Sequence, residues 1–261
     1  MLYIYPYFFS GTVELGQYND MVERWKRVYG IRLNNQRYGL GAGIGVGYDA
    51  GLFEVGLSLK MLISSSNSYT SSSFYDYNGA YNELKLNLTH SLYNYLANLH
   101  VGINYPITTL SSIYTGIKFI FGLSNLKYNI EYEYRQYGYD YEEYGYSLIK
   151  SSLNSSGLGL GIETRGEIYL SKNLAIFGGF GYDMIEFRRY EGEAEEYVRS
   201  RSCYYECYEN ESRVTYPAYL VYRDGYLYPS SNPPNSYYGE EWGVEDLNGF
   251  RFFFGLRFNI F

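Results

Sequence analysis

The sequence lacks any long apolar segment. Its mean hydropathy is −0.32, and no run in its 261 residues approaches the roughly 18 consecutive apolar residues that indicate a membrane-spanning helix. Alanine, which favours helices, is scarce relative to tyrosine, glycine and serine. The sequence therefore excludes a helical membrane protein and favours a protein built from strands and turns.

Cysteine is nearly absent. Cys203 and Cys207 are too few for a disulfide-rich scaffold or for a zinc site with four protein ligands. They lie close together in a polar stretch of the chain. They form either one small loop disulfide in an oxidising compartment or two free thiols in a reducing one.

Histidine is just as scarce, and the two histidines give catalysis little support. His90 lies between Thr89 and Ser91, but adjacent side chains of a strand point to opposite faces, so His90 is poorly placed to activate Ser91. His100 is expected to face the interior. Because no set of nucleophile, base and orienting group emerges, the sequence predicts a protein that is not an enzyme and that needs no cofactor and no metal.

Positive charge is in the minority. Lysine and arginine total 21 against 28 acidic residues, and the net charge of −7 argues against nucleic acid as a partner. The first nine residues are apolar but carry neither a basic segment nor a small-residue cleavage site, so they do not resemble a signal peptide. We expect a mature form from which a signal peptide has been removed.

Aromatic residues are abundant, with 37 tyrosines and 21% aromatics in all. Several segments alternate apolar residues with polar residues or glycine, the period of two that places successive side chains on opposite faces of a strand. The clearest is Gly249 to Phe261, where one face is apolar and the other carries Arg251 and Arg257. This pattern predicts eight strands, in residues 9–18, 38–48, 52–63, 95–105, 113–134, 157–170, 174–188 and 247–261.

Short and long connections alternate between these strands. The short ones are residues 49–51, 106–111 and 171–173, and the long ones are about 19–37, 64–94, 133–156 and 191–246. Short periplasmic turns and long extracellular loops are typical of outer-membrane barrels, in which each strand crosses the bilayer with about ten residues. We therefore predict an all-β, antiparallel, up-and-down transmembrane β-barrel that forms a single domain over residues 1–261.

The strand count has one alternative. Residues 214–228 contain a hairpin signal at Asp224 and Gly225, and a membrane crossing by this hairpin would give ten strands. Pro217 and Pro229 interrupt its two arms, and proline is disfavoured inside a sheet. We therefore predict eight strands, with the hairpin outside the membrane.

The chain resembles a small bacterial outer-membrane β-barrel of the eight-stranded OmpA/OmpX-like type. The resemblance is carried by the aromatic strand that ends at Phe261 and by the tight turns at residues 49–51 and 171–173. It implies location in the outer membrane of a Gram-negative bacterium, contact with membrane lipid and lipopolysaccharide, and a terminal Phe261 that the barrel-assembly machinery reads. One departure is that the apolar row ending at Ile260 is one residue out of phase with Phe261.

Charged residues of both signs occupy the face that an outer-membrane barrel turns inward. They form either a salt-bridge network that fills a narrow barrel or the lining of a narrow porin for small solutes, and eight strands leave little lumen. The sequence favours the network. Its predicted members are Glu14, Glu54, Lys60, Lys118, Glu163, Arg165, Glu167, Asp183, Arg251 and Arg257.

Tyrosines are dense in the predicted loops. Together with serine, glycine and asparagine they make a surface of the kind found in binding paratopes, which favours adhesion or the binding of a host or environmental ligand. The alternative is that they belong to the aromatic girdle of the barrel. The candidate binding residues are Tyr137, Tyr139, Tyr141, Tyr144, Tyr204, Tyr205 and Tyr208.

Two further interpretations remain open at this point. A basic segment around Trp25, with Arg24, Lys26 and Arg27, is either a solvated loop or a contact with the anionic outer leaflet. A soluble lipocalin-like barrel would have the same strands with the charged face turned outward. The side on which the apolar faces lie decides between the soluble and the membrane barrel.

Overall fold

The computed structural model describes residues 1–13, 15–29, 38–75, 79–138 and 141–260. Eight of its strands form a ring in which every neighbouring pair is antiparallel, and the ring is completed where the last strand pairs with the first. This confirms the predicted up-and-down barrel. The ring strands are β1 (Leu2–Thr12), β2 (Tyr38–Asp49), β3 (Phe53–Tyr75), β4 (Tyr81–Thr108), β5 (Ser111–Tyr137), β6 (Glu142–Tyr169), β7 (Leu174–Cys203) and β12 (Gly249–Asn259).

The remaining elements lie at one end of the ring. Strand β8 (Cys207–Arg223) pairs with the upper part of β7, β9 (Tyr226–Ser230) and β10 (Glu241–Trp242) pair with β8, and β11 (Val244–Asp246) pairs with β7. A helix, α1 (Gly16–Tyr29), separates β1 from β2, and a 3-10 helix occupies Ser236–Tyr238. The β8–β9 hairpin is outside the ring, so the prediction of eight rather than ten barrel strands is confirmed.

The barrel is apolar outside and charged inside. In β3, Leu57 and Leu59 are 59% and 65% exposed, whereas Ser58 and Lys60 between them are buried. The same outward apolar row recurs around the ring, over about ten residues per strand, which is the length a tilted strand needs to cross a bilayer. We call this surface the apolar belt. It excludes the soluble lipocalin-like alternative, in which the apolar face would be inside.

No helix in the described part of the chain is both long and apolar enough to cross a membrane.

The first strand lies elsewhere than predicted. It begins at Leu2 and ends at Thr12, whereas the alternation had indicated residues 9–18. Both faces of β1 are apolar, because Tyr3 and Tyr5 point inward while Ile4 and Phe8 face the lipid. Because both faces of this strand are apolar, its residues do not alternate between apolar and polar, and the sequence pattern therefore does not reveal it.

Three of the predicted long loops consist largely of strand. Strands β3 and β4 continue through residues 64–75 and 81–94, and β5 and β6 continue to residue 137 and from residue 142. In the 191–246 segment, β7 continues to Cys203 and β8 runs back beside it. Above the membrane a strand has water on its outer face, so polar residues there do not indicate a loop. The predicted loop 19–37 is helical over 19–29, and residues 30–37 lie outside the described residues.

The upper half of the barrel is a tall structure built on these continuations. Strands β6 and β7 have 28 and 30 residues, and about ten of these suffice to cross the bilayer. From Met184, at the edge of the apolar belt, to Cys203 the strand rises roughly 60 Å along its own direction. We call this part the extracellular head, comprising residues 64–75, 81–94, 124–137, 142–156 and 185–246 together with α1.

A bulge in β7 changes which of its side chains face the interior of the head. Arg189 has φ of 58° and the register with β6 shifts opposite residues 154–156. The shift exchanges the two faces, so that Arg188 is exposed and Tyr190 is fully buried although the two residues are two positions apart. Without it, the charged residues of the upper strand would point into the head.

Candidate functional site

The membrane part of the lumen is occupied by a column of aromatic rings. Tyr3, Tyr5, Tyr7 and Phe9 project inward from β1, and consecutive rings are 5.6 to 6.0 Å apart. The glycine face of β2 makes room for them, because a methyl group on any of these glycines would overlap the ring opposite it. The pairs are Gly47 with Tyr3, Gly45 with Tyr5, Gly43 with Tyr7 and Gly41 with Phe9.

A first ion cluster closes the lumen near the short turns. Arg257 Nη1 lies 2.8 Å from Glu167 Oε2 and 3.4 Å from Glu54 Oε2, and its Nη2 lies 3.2 Å from Asp49. Arg165 Nε lies 2.7 Å from Glu167, and its Nη2 pairs with Glu54. Each arginine bridges carboxylates on different strands, so the cluster ties the ring together across the lumen.

A second ion cluster lies in the middle of the barrel around Asp183, which is fully buried. Lys60 Nζ and Lys118 Nζ approach its carboxylate to 2.8 and 2.7 Å, and Arg251 Nε lies 3.8 Å away. Lys118 also lies 3.3 Å from Glu163. Beside this cluster is a cavity of about 30 Å³, which has room for one or two waters.

The two clusters account for nine of the ten predicted interior charges. Five cationic and five carboxylate side chains meet in them, with Asp49 as a member that the sequence did not indicate. Buried charges are stable only when they are paired and hydrogen-bonded, and here each has a partner of opposite sign. Glu14, the tenth predicted member, lies outside the described residues.

Helix α1 seals the extracellular mouth with apolar side chains. Tyr18, Met21 and Val22 of α1, together with Leu15 just before it, are buried against the inner faces of the head strands. The spacing of Tyr18, Met21, Val22 and the partly buried Trp25 is that of one helical face. This spacing was the signal that could have identified the helix in the sequence, where the charged residues around Trp25 favoured a loop.

His90 belongs to this seal. Its ring centroid lies 4.2 Å from that of Tyr18, and its Nε2 lies 3.1 Å from Glu245 Oε1. All three residues are fully buried. Burial raises the pKa of Tyr18 to about 12, and the carboxylate of Glu245 contributes to the increase. His90 thus joins α1 and β11 to the barrel wall, a role that the sequence did not reveal.

Tyr128 fixes the seal from the opposite wall. Its hydroxyl donates to the carbonyl oxygen of Leu227 on β9 at 2.9 Å and contacts Met21 Sδ of α1 at 3.4 Å. Burial holds its pKa well above the ordinary value. The lumen is therefore filled in the described structure at three levels, by the ion clusters, the aromatic column and the α1 seal. This arrangement gives no support to the narrow porin.

The farthest point of the head is a short hairpin closed by a disulfide. Cys203 and Cys207 are bonded to each other at the ends of β7 and β8. Between and beside them, Tyr204, Tyr205 and Tyr208 are 63%, 102% and 72% exposed. We call these three residues the tyrosine tip.

Other predicted binding tyrosines lie near this tip. Tyr141 stacks on Tyr204 with ring centroids 5.5 Å apart, and Tyr144 lies under the guanidinium of Arg135 at 5.4 Å. Tyr137 is 38% exposed at the end of β5. Tyr139 and the predicted assembly residue Phe261 lie outside the described residues. Tyr137, Tyr144 and Tyr208 lie on the strands β5, β6 and β8, whereas Tyr141, Tyr204 and Tyr205 lie in the connections between strands.

The ring and its apolar belt define the class of this protein: it is an integral outer-membrane β-barrel. No family model matches the chain, and no curated protein matches it. Among solved structures, a major outer membrane protein of Thermus thermophilus has 11% identity and a TM-score of 0.37, with 99% of each chain covered. The outer membrane protease OmpT of Escherichia coli has 8% identity and a TM-score of 0.31, with 99% of this chain and 96% of that one covered.

A third similar structure is LpxR from Salmonella typhimurium, with 8% identity, a TM-score of 0.22, and coverage of 98% of this chain and 100% of that one. The resemblance to the OmpA/OmpX-like type in particular stays a prediction. The prediction that the protein is not an enzyme, made because the sequence shows no catalytic set, is contradicted, because an outer-membrane protease is among the similar structures. Similarity at this level carries no argument about the chemistry of this chain.

Proposed function

We propose that the protein is a surface receptor or adhesin in which a filled barrel holds a stiff extracellular head, and the tyrosine tip of that head binds a host or environmental ligand. The observation that carries this proposal is the position of Tyr204, Tyr205 and Tyr208. They lie at the exposed end of a hairpin whose first strand, β7, begins inside the membrane.

The filled lumen supports a function outside the membrane rather than passage through it. Ion clusters and the α1 seal occupy the interior along its height. Strands β5, β6 and β7 then continue far beyond the apolar belt, and the backbone ladder between them runs nearly to their ends. A long paired sheet is stiffer than a loop of the same length, so it presents its end at a fixed distance from the lipid.

The chemistry of the tip suits recognition of a macromolecular surface. A tyrosine offers a large ring at low conformational cost and a hydroxyl that donates and accepts hydrogen bonds. The disulfide between Cys203 and Cys207 holds the hairpin, so less ordering is needed on binding. Stacked rings such as Tyr141 and Tyr204 present flat surfaces to sugar rings or to peptide side chains.

The test is a binding screen with the whole protein in lipid nanodiscs, on arrays of glycans and of extracellular-matrix proteins. Replacing Tyr204, Tyr205 and Tyr208 together by serine should weaken binding to the recognised array member by roughly 100-fold, since each lost aromatic anchor costs about 1 kcal/mol or more. The matched control is the double change of Tyr237 and Tyr238 to serine, which removes exposed rings elsewhere in the head. Unchanged binding by the triple variant would contradict the proposal.

A further inference from the structure

One edge of the extracellular head is an unpaired strand. Strand β8 pairs with β7 from Cys207 to Tyr219, and β9 covers its other edge only from Tyr219 onward. Among the described residues, none pairs with that other edge between Cys207 and Ala218. Residues 207–215 are all exposed. A free edge of this length presents backbone donors and acceptors that can pair with another strand.

Pro217 indicates which residues use this edge. A proline has no N–H and is tolerated in a sheet where that position faces away from the neighbouring strand. Pro217 lies opposite Glu193 of β7, so its missing N–H belongs to the free edge. With a period of two, Glu209, Glu211, Arg213 and Thr215 direct their backbone groups to the same edge.

The charges along β8 are self-complementary in one register. If a second copy of β8 pairs antiparallel with the first about Ser212, Glu211 of each copy lies opposite Arg213 of the other, and Tyr208 lies opposite Tyr216. Charged residues on an edge normally prevent such pairing. In this register, however, each of the two facing charge pairs is attractive.

Neighbouring antiparallel registers lack this match. Pairing about Asn210 brings Glu209 opposite Glu211, pairing about Glu211 brings that residue opposite itself, and pairing about Arg213 does the same for arginine. Like charges directly opposite each other destabilise a strand pair. Of these four registers, only pairing about Ser212 brings opposite charges together without placing like charges opposite each other.

The ion pairs that β8 makes with β7 do not obstruct pairing in this register. Arg213 pairs with Glu195 of β7, and Glu209 lies 3.6 Å from Arg201 and 3.8 Å from Arg199. These partners are on the β7 side, and side chains on the other side of β8 meet solvent. Glu211 of a second copy would therefore extend a row of alternating charges.

The direction of β8 relative to the membrane determines where the second copy must lie. Barrel strands tilt by about 35–45° from the membrane normal, so copies in one membrane all have β8 running toward that membrane. Strands related by rotation about the normal then differ in direction by at most about 90°, which excludes antiparallel pairing. Copies in two facing membranes can meet in this way.

We propose that β8 pairs antiparallel with β8 of a second copy in a facing membrane, about Ser212, and so joins two cells. The surface is the edge of the head, which shares only Tyr208 with the tyrosine tip. The test changes none of the tip residues, so this inference does not rest on the proposed function.

The test is vesicle tethering with a charge exchange. The whole protein is reconstituted into phosphatidylcholine vesicles that carry one of two dyes, and vesicles with coincident dyes are counted. Wild-type vesicles should tether. Glu211→Arg places arginine opposite arginine, and Arg213→Glu places glutamate opposite glutamate, so each variant alone should tether roughly tenfold less, since repeated contacts multiply the loss.

Mixing the two variants provides the decisive result. The arginine introduced at position 211 of one variant then faces the glutamate introduced at position 213 of the other, and the unchanged Arg213 of the first faces the unchanged Glu211 of the second. Tethering between the two populations should therefore return to near the wild-type level. Misfolding of either variant cannot produce this recovery. Glu83→Arg, an equal charge change on β4 across the head, is the matched control and should tether as the wild type does.

Each contrary result overturns the inference. These are wild-type vesicles that remain separate, variants that tether alone as well as the wild type, and mixed variants that fail to recover. Cross-linking of copies within single vesicles without tethering would place the contact in one membrane and would also overturn it.

Discussion

Tyr18 of α1 packs against His90 of β4 with ring centroids 4.2 Å apart, and Glu245 of β11 lies 3.1 Å from Nε2 of that histidine. These residues are far apart in the sequence, yet together they fasten a helix and a short strand to the wall of the barrel. The contact is fully buried at the extracellular mouth. It explains why the segment after β1 folds inward.

Removing the ring of Tyr18 should loosen the α1 seal. We expect Tyr18→Ala to lower the free energy of unfolding by about 3 kcal/mol, as is usual when a buried aromatic ring is truncated. Urea titration of the refolded protein in detergent micelles measures this. Tyr237→Ala, at a position that is 86% exposed, should change stability by about 0.5 kcal/mol or less. Equal losses in both variants would mean that α1 does not pack as described.

The head should lose stability in alkali. The pKa of Tyr18 rises from 10.0 to about 12 in the folded protein, so the folded state holds this proton more tightly than the unfolded state does. The resulting contribution, about 2 to 3 kcal/mol, is fully present below pH 10 and is lost as the pH rises to about 12. Tyr18→Phe cannot ionise and should flatten this part of the pH dependence, as measured by urea titration at a series of pH values. An identical pH dependence in the variant would contradict the assignment.

Asp183 should be essential because three cations face it. Asp183→Ala leaves Lys60, Lys118 and Arg251 without their shared carboxylate, and we expect a loss of about 3 to 5 kcal/mol. The loss appears as earlier conversion of the heat-modifiable band on a denaturing gel. Glu191→Ala, which removes an exposed carboxylate of β7, is the control and should leave this transition within error. A normal transition in the Asp183 variant would refute the central role of this carboxylate.

The glycine face of β2 should tolerate no side chain. Gly45→Ala places a methyl group against the ring of Tyr5, and we expect a cost of about 1 to 3 kcal/mol from overpacking. Adding Tyr5→Leu should restore part of the stability, since the shorter side chain vacates the space. Gly166→Ala adds the same methyl group where no atom lies within 4 Å and should be neutral. Heat-modifiable migration compares the three, and equal behaviour of Gly45→Ala and Gly166→Ala would count against the aromatic column.

Sequence reasoning succeeded where a strand has different environments on its two faces. In β3 and β12 the apolar row that meets lipid alternates with residues that meet the lumen, so the period of two was visible. The prolines of the β8–β9 hairpin correctly placed it outside the ring. It failed at β1, which is apolar on both faces, and in the head strands, which have water outside. It also missed α1, because the buried face of Tyr18, Met21 and Val22 was concealed by neighbouring charges.

The sequence by itself determined the barrel, its eight strands and the contrast between an apolar and a charged face, because the bilayer imposes a local pattern on every strand that crosses it. Only the tertiary structure decided what fills the barrel. The pairing of Lys60 with Asp183, the fit of Gly45 to Tyr5 and the packing of Tyr18 on His90 join residues that are distant along the chain. Such contacts depend on register and on closure of the ring, and neither leaves a periodic signal in the sequence.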